Sequence, residues 1–352
     1  MTLFQFALAI APIAFAIGAA KTAFAGDTGR ISGPFAHDNL AVYFIHGPSV
    51  DGKVPLTLKE AFDKEAVRLD ETGAVSELTI ENLGDEEIFI QSGDIVKGGR
   101  QDRVLTTTLV LPPKSGKVPV AAFCVERGRW SARGAESMAF FAHSAESMPS
   151  RAAKLAMKAM RLAPAAGLTA GLRGEPTETA SVSRQGEVWR SVAETQEKLS
   201  ENLKASVNAV ASETSLQLSL ENEDLQKARA AYTSALEPKG AEEADVVGYV
   251  FAVNGKVNGA DIYPSNGLFR KMWSKMLAAG VTEAIGEKGA ASAEAPATDK
   301  IAEFLAAAEK GDRHENDVAK LMRIDTRDAA EAVYVESKDR ADRWVHRSYV
   351  AR

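Results

Sequence analysis

Apolar and polar positions along this chain follow two different rhythms. In the first third, short runs rich in β-branched and aromatic residues predict strands. These are residues 40–45 (LAVYFI), 75–81, 87–91, 104–111 and 118–126. The 75–81 run alternates apolar with polar, as a half-buried strand should. Residues 58–67 carry Leu58, Ala61 and Phe62 on one side and predict a short helix. Pro112, Pro113 and Gly116 mark a turn that ends a strand. The rhythm changes near Ser131. Helical spacing covers 150–162, 184–210 and 220–236, with Val188, Val192, Leu199 and Leu203 near one stripe of the longest helix. A strand at 246–253 closed by Asn254-Gly255, a helix at 268–285, a short helix at 301–308 and strands at 331–336 and 343–350 complete the chain. Residues 163–179 and 287–300 are rich in small residues and read as loops. The expected class is α+β: a mostly antiparallel β unit in the N-terminal half, packed with a helical middle and C-terminal strands.

The first twenty-five residues do not belong to that pattern. Residues 3–20 are uncharged and mostly apolar, and Ala23-Phe24-Ala25 fits the small-x-small rule for signal cleavage. A signal peptide at 1–25 is therefore expected, followed by a flexible segment at 26–38 and a single domain at 39–352. The rival is an uncleaved N-terminal anchor; no other segment is apolar enough to span a bilayer. Periplasmic or secreted localisation follows. The 352 residues are 45% hydrophobic and 26% charged, ordinary for a chain that buries a core. Lys and Arg number 42 against 48 Asp and Glu, a net charge of −6, which argues against nucleic-acid binding. One cysteine excludes an intrachain disulfide and a cysteine-based zinc cluster. The five histidines are scattered and no cofactor motif is present, so neither metal nor cofactor is expected.

The densest polar stretch runs from Gln91 to Arg103. Gly98-Gly99 permits positive φ and close backbone approach. Lys97, Arg100 and Arg103 surround that point, and Gln101 lies between them. Such a loop would hold an anionic ligand, arginine giving bidentate contacts to phosphate or carboxylate. Gly93-x4-Gly98 is not a phosphate loop of the Walker type, because Gly99-Arg100 stands where Lys-Ser/Thr is required. A second stretch, Cys124-Val125-Glu126-Arg127-Gly128-Arg129-Trp130, offers Glu126 as a general base and Trp130 as a stacking surface. Cys124 beside a carboxylate is a poor thiolate and reads as a small buried hydrophobe. Gln185 and Trp189 lie one turn apart on the long helix, either as a pocket residue and its wall or, the favoured reading, as the face by which the helix docks on the sheet. Gly259-Ala260-Asp261 sits in a turn-rich link, where Asp261 either faces a site or organises the turn.

Taken in order, Gly93-Asp94, the Lys97-to-Arg103 segment, Cys124-Val125-Glu126, Trp130, Gln185-x3-Trp189 and Gly259-Ala260-Asp261 resemble the ARG and rhodanese-phosphatase-superfamily-associated protein domain. That domain has no assigned function. The resemblance covers about residues 40–350, nearly all of the mature chain. The family's name implies, by association, a link to ADP-ribose or nucleotide metabolism. Three functions stay open: a binder of a small anionic ligand at the Gly-Gly-Arg-Gln loop, a structural or partner-binding module in which the same residues form a buried network, and a hydrolase of a phosphate- or ribose-linked bond. The first two are separable by geometry. A site needs Arg100, Glu126 and Gln185 to converge on a solvent-reachable cavity, whereas a network needs them paired with no opening. No protein partner is indicated.

Overall fold

The LAVYFIH run at 40–46 is buried at every position, so its strand must be covered on both faces. The rest of the fold arranges that cover. In the computed structural model, residues 29–159, 178–289 and 294–352 are described. The leader expected at 1–25 lies outside them, as does most of the loop expected at 163–179. Strands β1 (Ile31–His37), β2 (Leu40–His46) and β3 (Leu56–Thr57) lead to helix α1 (Leu58–Asp63). Then come β4 (Val67–Glu71), β5 (Glu77–Asn82), β6 (Ile88–Ile90), β7 (Asp94–Gly98), β8 (Arg103–Leu105), β9 (Leu109–Leu111), β10 (Gly116–Cys124) and β11 (Phe141–Ser147). Helices α2 (Arg151–Ala159), α3 (Glu178–Leu203), α4 (Leu216–Leu220) and α5 (Glu223–Leu236) form the middle. The chain closes with β12 (Val246–Val253), β13 (Lys256–Ile262), α6 (Asn266–Gly286), α7 (Thr298–Ala308), β14 (Asp312–Val318), β15 (Met322–Asp328), β16 (Ala332–Lys338) and β17 (Trp344–Ala351). The class is α+β, as expected.

The strands make three sheets. Eight strands pair antiparallel in the order β1-β2-β12-β13-β17-β16-β15-β14. Six more follow the order β11-β7-β8-β10-β5-β4. Asp70 of β4 bridges to Phe140, just before β11, and the Glu71 N–H donates to the Ala139 carbonyl at 3.0 Å. These contacts join the two edges, so the six-stranded sheet closes on itself as a barrel. Leu69, Leu78, Ile80, Val96, Leu105, Val120 and Phe141 are buried in its cluster. The small β3-β6-β9 sheet lies alongside. Val42 and Phe44 of β2 pack in one cluster with α3, α5 and α6, and Tyr43 and Ile45 in another with Ile301 and Leu305 of α7. Gly280 lets α6 approach β12 closely, since a Cβ there would lie 2.6 Å from the Phe251 ring.

Several expectations are corrected. Residues 31–37 are not a flexible lead-in but an edge strand, ordered by pairing with the buried β2. The single strand expected at 104–111 is two, β8 in the barrel and β9 in the small sheet. The expected 58–67 helix stops at Asp63, and Val67 opens β4. The turn-rich link around Gly259 is β13, the second arm of a hairpin. Its turn has Asn254 and Gly255 at φ of 51° and 72°, the positive pair that tight hairpins favour. Among the described residues no helix is long and apolar enough to cross a membrane.

Candidate functional site

β7 and β8 bring the two ends of the Gly-Gly-Arg-Gln loop side by side, and β10 lays the CVERGRW segment next to them. Gly99 sits at φ of +56°, under the Phe141 ring, where a Cβ would come within 2.3 Å. Four of the loop's backbone donors are committed to the protein. Gly98 N–H donates to Asp102 Oδ1 at 2.9 Å and Gly99 N–H to the Phe140 carbonyl at 3.3 Å. Arg100 N–H donates to Glu71 Oε2 at 3.4 Å, and Asp102 N–H to Glu126 Oε2 at 3.0 Å. An anion cradle needs such groups pointing outward. The carbonyls of Gly98 and Gly99 are engaged as well, since the Arg129 guanidinium donates to both at 3.1 Å.

Asp102 is the centre of a network with no exposure of its own. Arg133 grips both its oxygens at 2.9 Å, and the Ser215 hydroxyl donates to Oδ2 at 2.7 Å. Glu126, also fully buried, accepts from Arg129 Nε at 2.7 Å and Arg133 Nη1 at 3.3 Å. Gln101 Nε2 donates to the Glu126 carbonyl at 2.8 Å. Arg103 lies within 3.4 Å of Glu71, both side chains almost wholly enclosed. Burial pushes the Glu126 carboxyl up, but Arg129, Ser212 and the Asp102 N–H outweigh it and hold it below the usual carboxylate range. A proton acceptor engaged in this way is committed to its arginines.

The other expected residues scatter around this core. Lys97 pairs with Glu221 at 2.8 Å. Arg100 lies over the exposed Trp130 ring at 5.2 Å, and Arg127 over Trp189 at 5.6 Å. Gln185 clamps the end of β10, accepting from Cys124 N–H at 2.8 Å and donating to its carbonyl at 2.9 Å. Cys124 is enclosed, and burial pushes its thiol up to about 11. Arg100 and Gln185 therefore do not meet Glu126 at a shared opening. Arg133, Ser215 and Glu71 complete the network, and no local motif announced them; Asp102 and Arg129 were already inside the two polar stretches.

A different cavity lies between α2, α6 and the large sheet. It has a volume of about 30 Å³, and Lys154, Lys158, Tyr249, Asp261, Ser147 and Ser348 are among its walls. That is room for roughly two waters or one small polyatomic group. Tyr249 donates a short hydrogen bond to Asp261 Oδ2, and His346 Nε2 lies 3.1 Å from Oδ1 without completing a hydrogen bond. Glu283 of α6 accepts the first N–H of α2, from Arg151, at 3.1 Å to each oxygen. Lys158 donates to Ser348 Oγ at 3.1 Å. The Lys154 ammonium donates no hydrogen bond among the described residues, and burial lowers its affinity for the proton despite Glu283 and Asp261 nearby. Burial likewise raises Glu283, against the pull of Lys154. Asp261 was singled out in the sequence. The lysines were not, though Lys154 and Lys158 are one helical turn apart on an otherwise Ala/Leu/Met-rich segment.

A closed antiparallel barrel joined through a helical layer to a broad antiparallel sheet, with a buried arginine–carboxylate network at the join, defines the class of protein. The chain belongs to the ARG and Rhodanese-Phosphatase-superfamily-associated Protein domain family, whose model matches residues 28–350. No curated protein and no solved structure matches it.

Proposed function

We infer that this chain is a binding protein. Its Gly-Gly-Arg-Gln and CVERGRW segments serve as scaffold, and its ligand is a small anionic group, carboxylate or phosphate, received beside Lys154 and Lys158. The observation that carries this is the half-buried Lys154 side chain, which lines a polar cavity and whose ammonium donates no hydrogen bond among the described residues. A charge in that position is costly unless something pairs with it. The neighbouring carboxylates have hydrogen-bond donors of their own, Asp261 from Tyr249 and Glu283 from the start of α2. An entering anion would supply the missing partner. Titration calorimetry of the chain with inorganic phosphate, sulfate and acetate tests the reading. Binding of at least one, weakened tenfold or more in Lys154→Met, supports it. No heat with any of the three, or equal affinity in the variant, overturns it.

Affinity also depends on pH with a defined sign. The anion pairs with protonated Lys154, and burial lowers that group's proton affinity. Binding therefore fades as pH rises, beginning below the pH at which an ordinary lysine deprotonates. Export belongs to the same proposal, supported by the cleavage pattern before Gly26 and by a lone cysteine with no second thiol to mispair with. Amino-terminal sequencing of the protein from its own cells should read from Gly26; a retained Met1 contradicts cleavage.

A further inference from the structure

At the far edge of the large sheet, three side chains outside both regions stand in a recognisable relation. Ser32 lies on the edge strand β1, His46 at the end of β2, and Asp245 just before β12. Ser32 Oγ is 2.8 Å from His46 Nε2, and His46 Nδ1 is 2.8 Å from Asp245 Oδ1. Asp245 only accepts, so its hydrogen bond takes a proton on Nδ1, and Arg30 Nη2, 3.1 Å from the same nitrogen, then stands beside the ring as a cation without a hydrogen bond to it. That leaves Nε2 as the acceptor for the Ser32 hydroxyl, the tautomer a general base requires. We propose that Ser32, His46 and Asp245 form a nucleophilic triad that hydrolyses carboxylic esters.

Three further features fit. The imidazole is 2% exposed, held between its partners, while Ser32 is partly open to solvent. The pairing of β1 with β2 slips immediately after Ser32, between Ser32 and Phe35. Such bulges re-aim a side chain away from regular alternation, and they recur beside active sites. His46 Nδ1, Glu243 and Asp245 also gather closely enough to hold a metal. However, the Arg30 guanidinium makes a short contact with Glu243 and lies 3.1 Å from Nδ1, so that place already holds a cation.

In the reaction, Ser32 Oγ attacks the acyl carbon while its proton passes to His46 Nε2. The ester C–O bond breaks and the alcohol departs with that proton. Water then attacks the acyl-serine, gives a proton to Nε2 and releases the carboxylic acid, and the proton returns to Ser32. Asp245 holds the ring and stabilises its charge.

A fluorophosphonate probe tests the proposal on the full chain, read by mass spectrometry of the labelled peptide, beside hydrolysis of p-nitrophenyl acetate. One phosphonyl group on Ser32 is expected, absent in Ser32→Ala. The labelling rate should fall about 100-fold or more in His46→Gln, the size of a lost general base. Ser32→Cys keeps a nucleophile at the same place, and its alkylation by iodoacetamide should also slow when His46 is replaced. Wild-type protein that takes no label, or takes the same label after Ser32→Ala, overturns the triad. So does a Ser32→Cys thiol indifferent to His46.

Discussion

Arg133 and Arg100 flank the same loop, yet their side chains meet different surroundings. Arg133 spends its guanidinium on Asp102, Glu126 and Glu136, enclosed by protein. Arg100 rests on an exposed indole. Replacing Arg133 by Met leaves Asp102 buried and short of its bidentate partner, which should cost about 3–5 kcal/mol. Arg100→Ala should cost about 1 kcal/mol or less, the worth of an exposed cation–π contact. Urea unfolding of the two variants separates them, and equal losses would deny the network its role. Glu126 gives the pH counterpart. Its folded carboxyl lies below the ordinary value, so its stabilisation is complete above that value and is lost as pH falls through the folded one. The stability gap between wild type and Glu126→Gln should therefore be present at neutral pH and close in acid. A gap that stays constant contradicts the assignment. At this scale the sequence showed where charge is concentrated and not what it touches. Arg133 and Ser215 reach Asp102 from 31 and 113 residues away.

Among the elements, α2 links stability to the proposed site. Its first N–H is capped from another helix by Glu283, and its successive turns carry the two lysines, one each. Glu283→Ala removes the cap and should destabilise by about 1–2 kcal/mol in thermal unfolding, in the range of ordinary N-cap losses. Glu283→Gln keeps an acceptor and should retain most of that; a Gln variant as unstable as the Ala one would deny the capping role. Such a cap cannot be read locally, because Glu283 follows Arg151 by 132 residues. Elements with strong periodicity were legible: β2, β12, α6 and the two closing strands fall where their patterns predict. The polar strands β14 and β15 were not, since DRHENDV offers no apolar stripe and owes its form to pairing with its neighbours. β13 read as a turn for a similar reason, its Gly259 placed where a Cβ would strike the Tyr349 carbonyl at 2.7 Å.

Across the whole molecule, composition and rhythm sufficed for the α+β class but not for topology. The barrel closes through Asp70 and Phe140, and neither carries a local signal for that pairing. The same closure accounts for the buried charges. Where barrel, α4 and the loop after β10 meet, Arg103, Arg129 and Arg133 pair with Glu71, Asp102, Glu126 and Glu136. Gln185 ties α3 to the same strand end. The scaffold at the glycine loop is thus distinct from the proposed binding site at α2. Thermal unfolding of wild type, Arg100→Ala and Lys154→Met, each with and without saturating phosphate, sulfate or acetate, tests that separation most directly. An anion at ~100 times its Kd should add about 2.7 kcal/mol to wild type. The same increment is expected in Arg100→Ala and none in Lys154→Met. An increment lost in Arg100→Ala and kept in Lys154→Met would return the ligand to the glycine loop and contradict that separation.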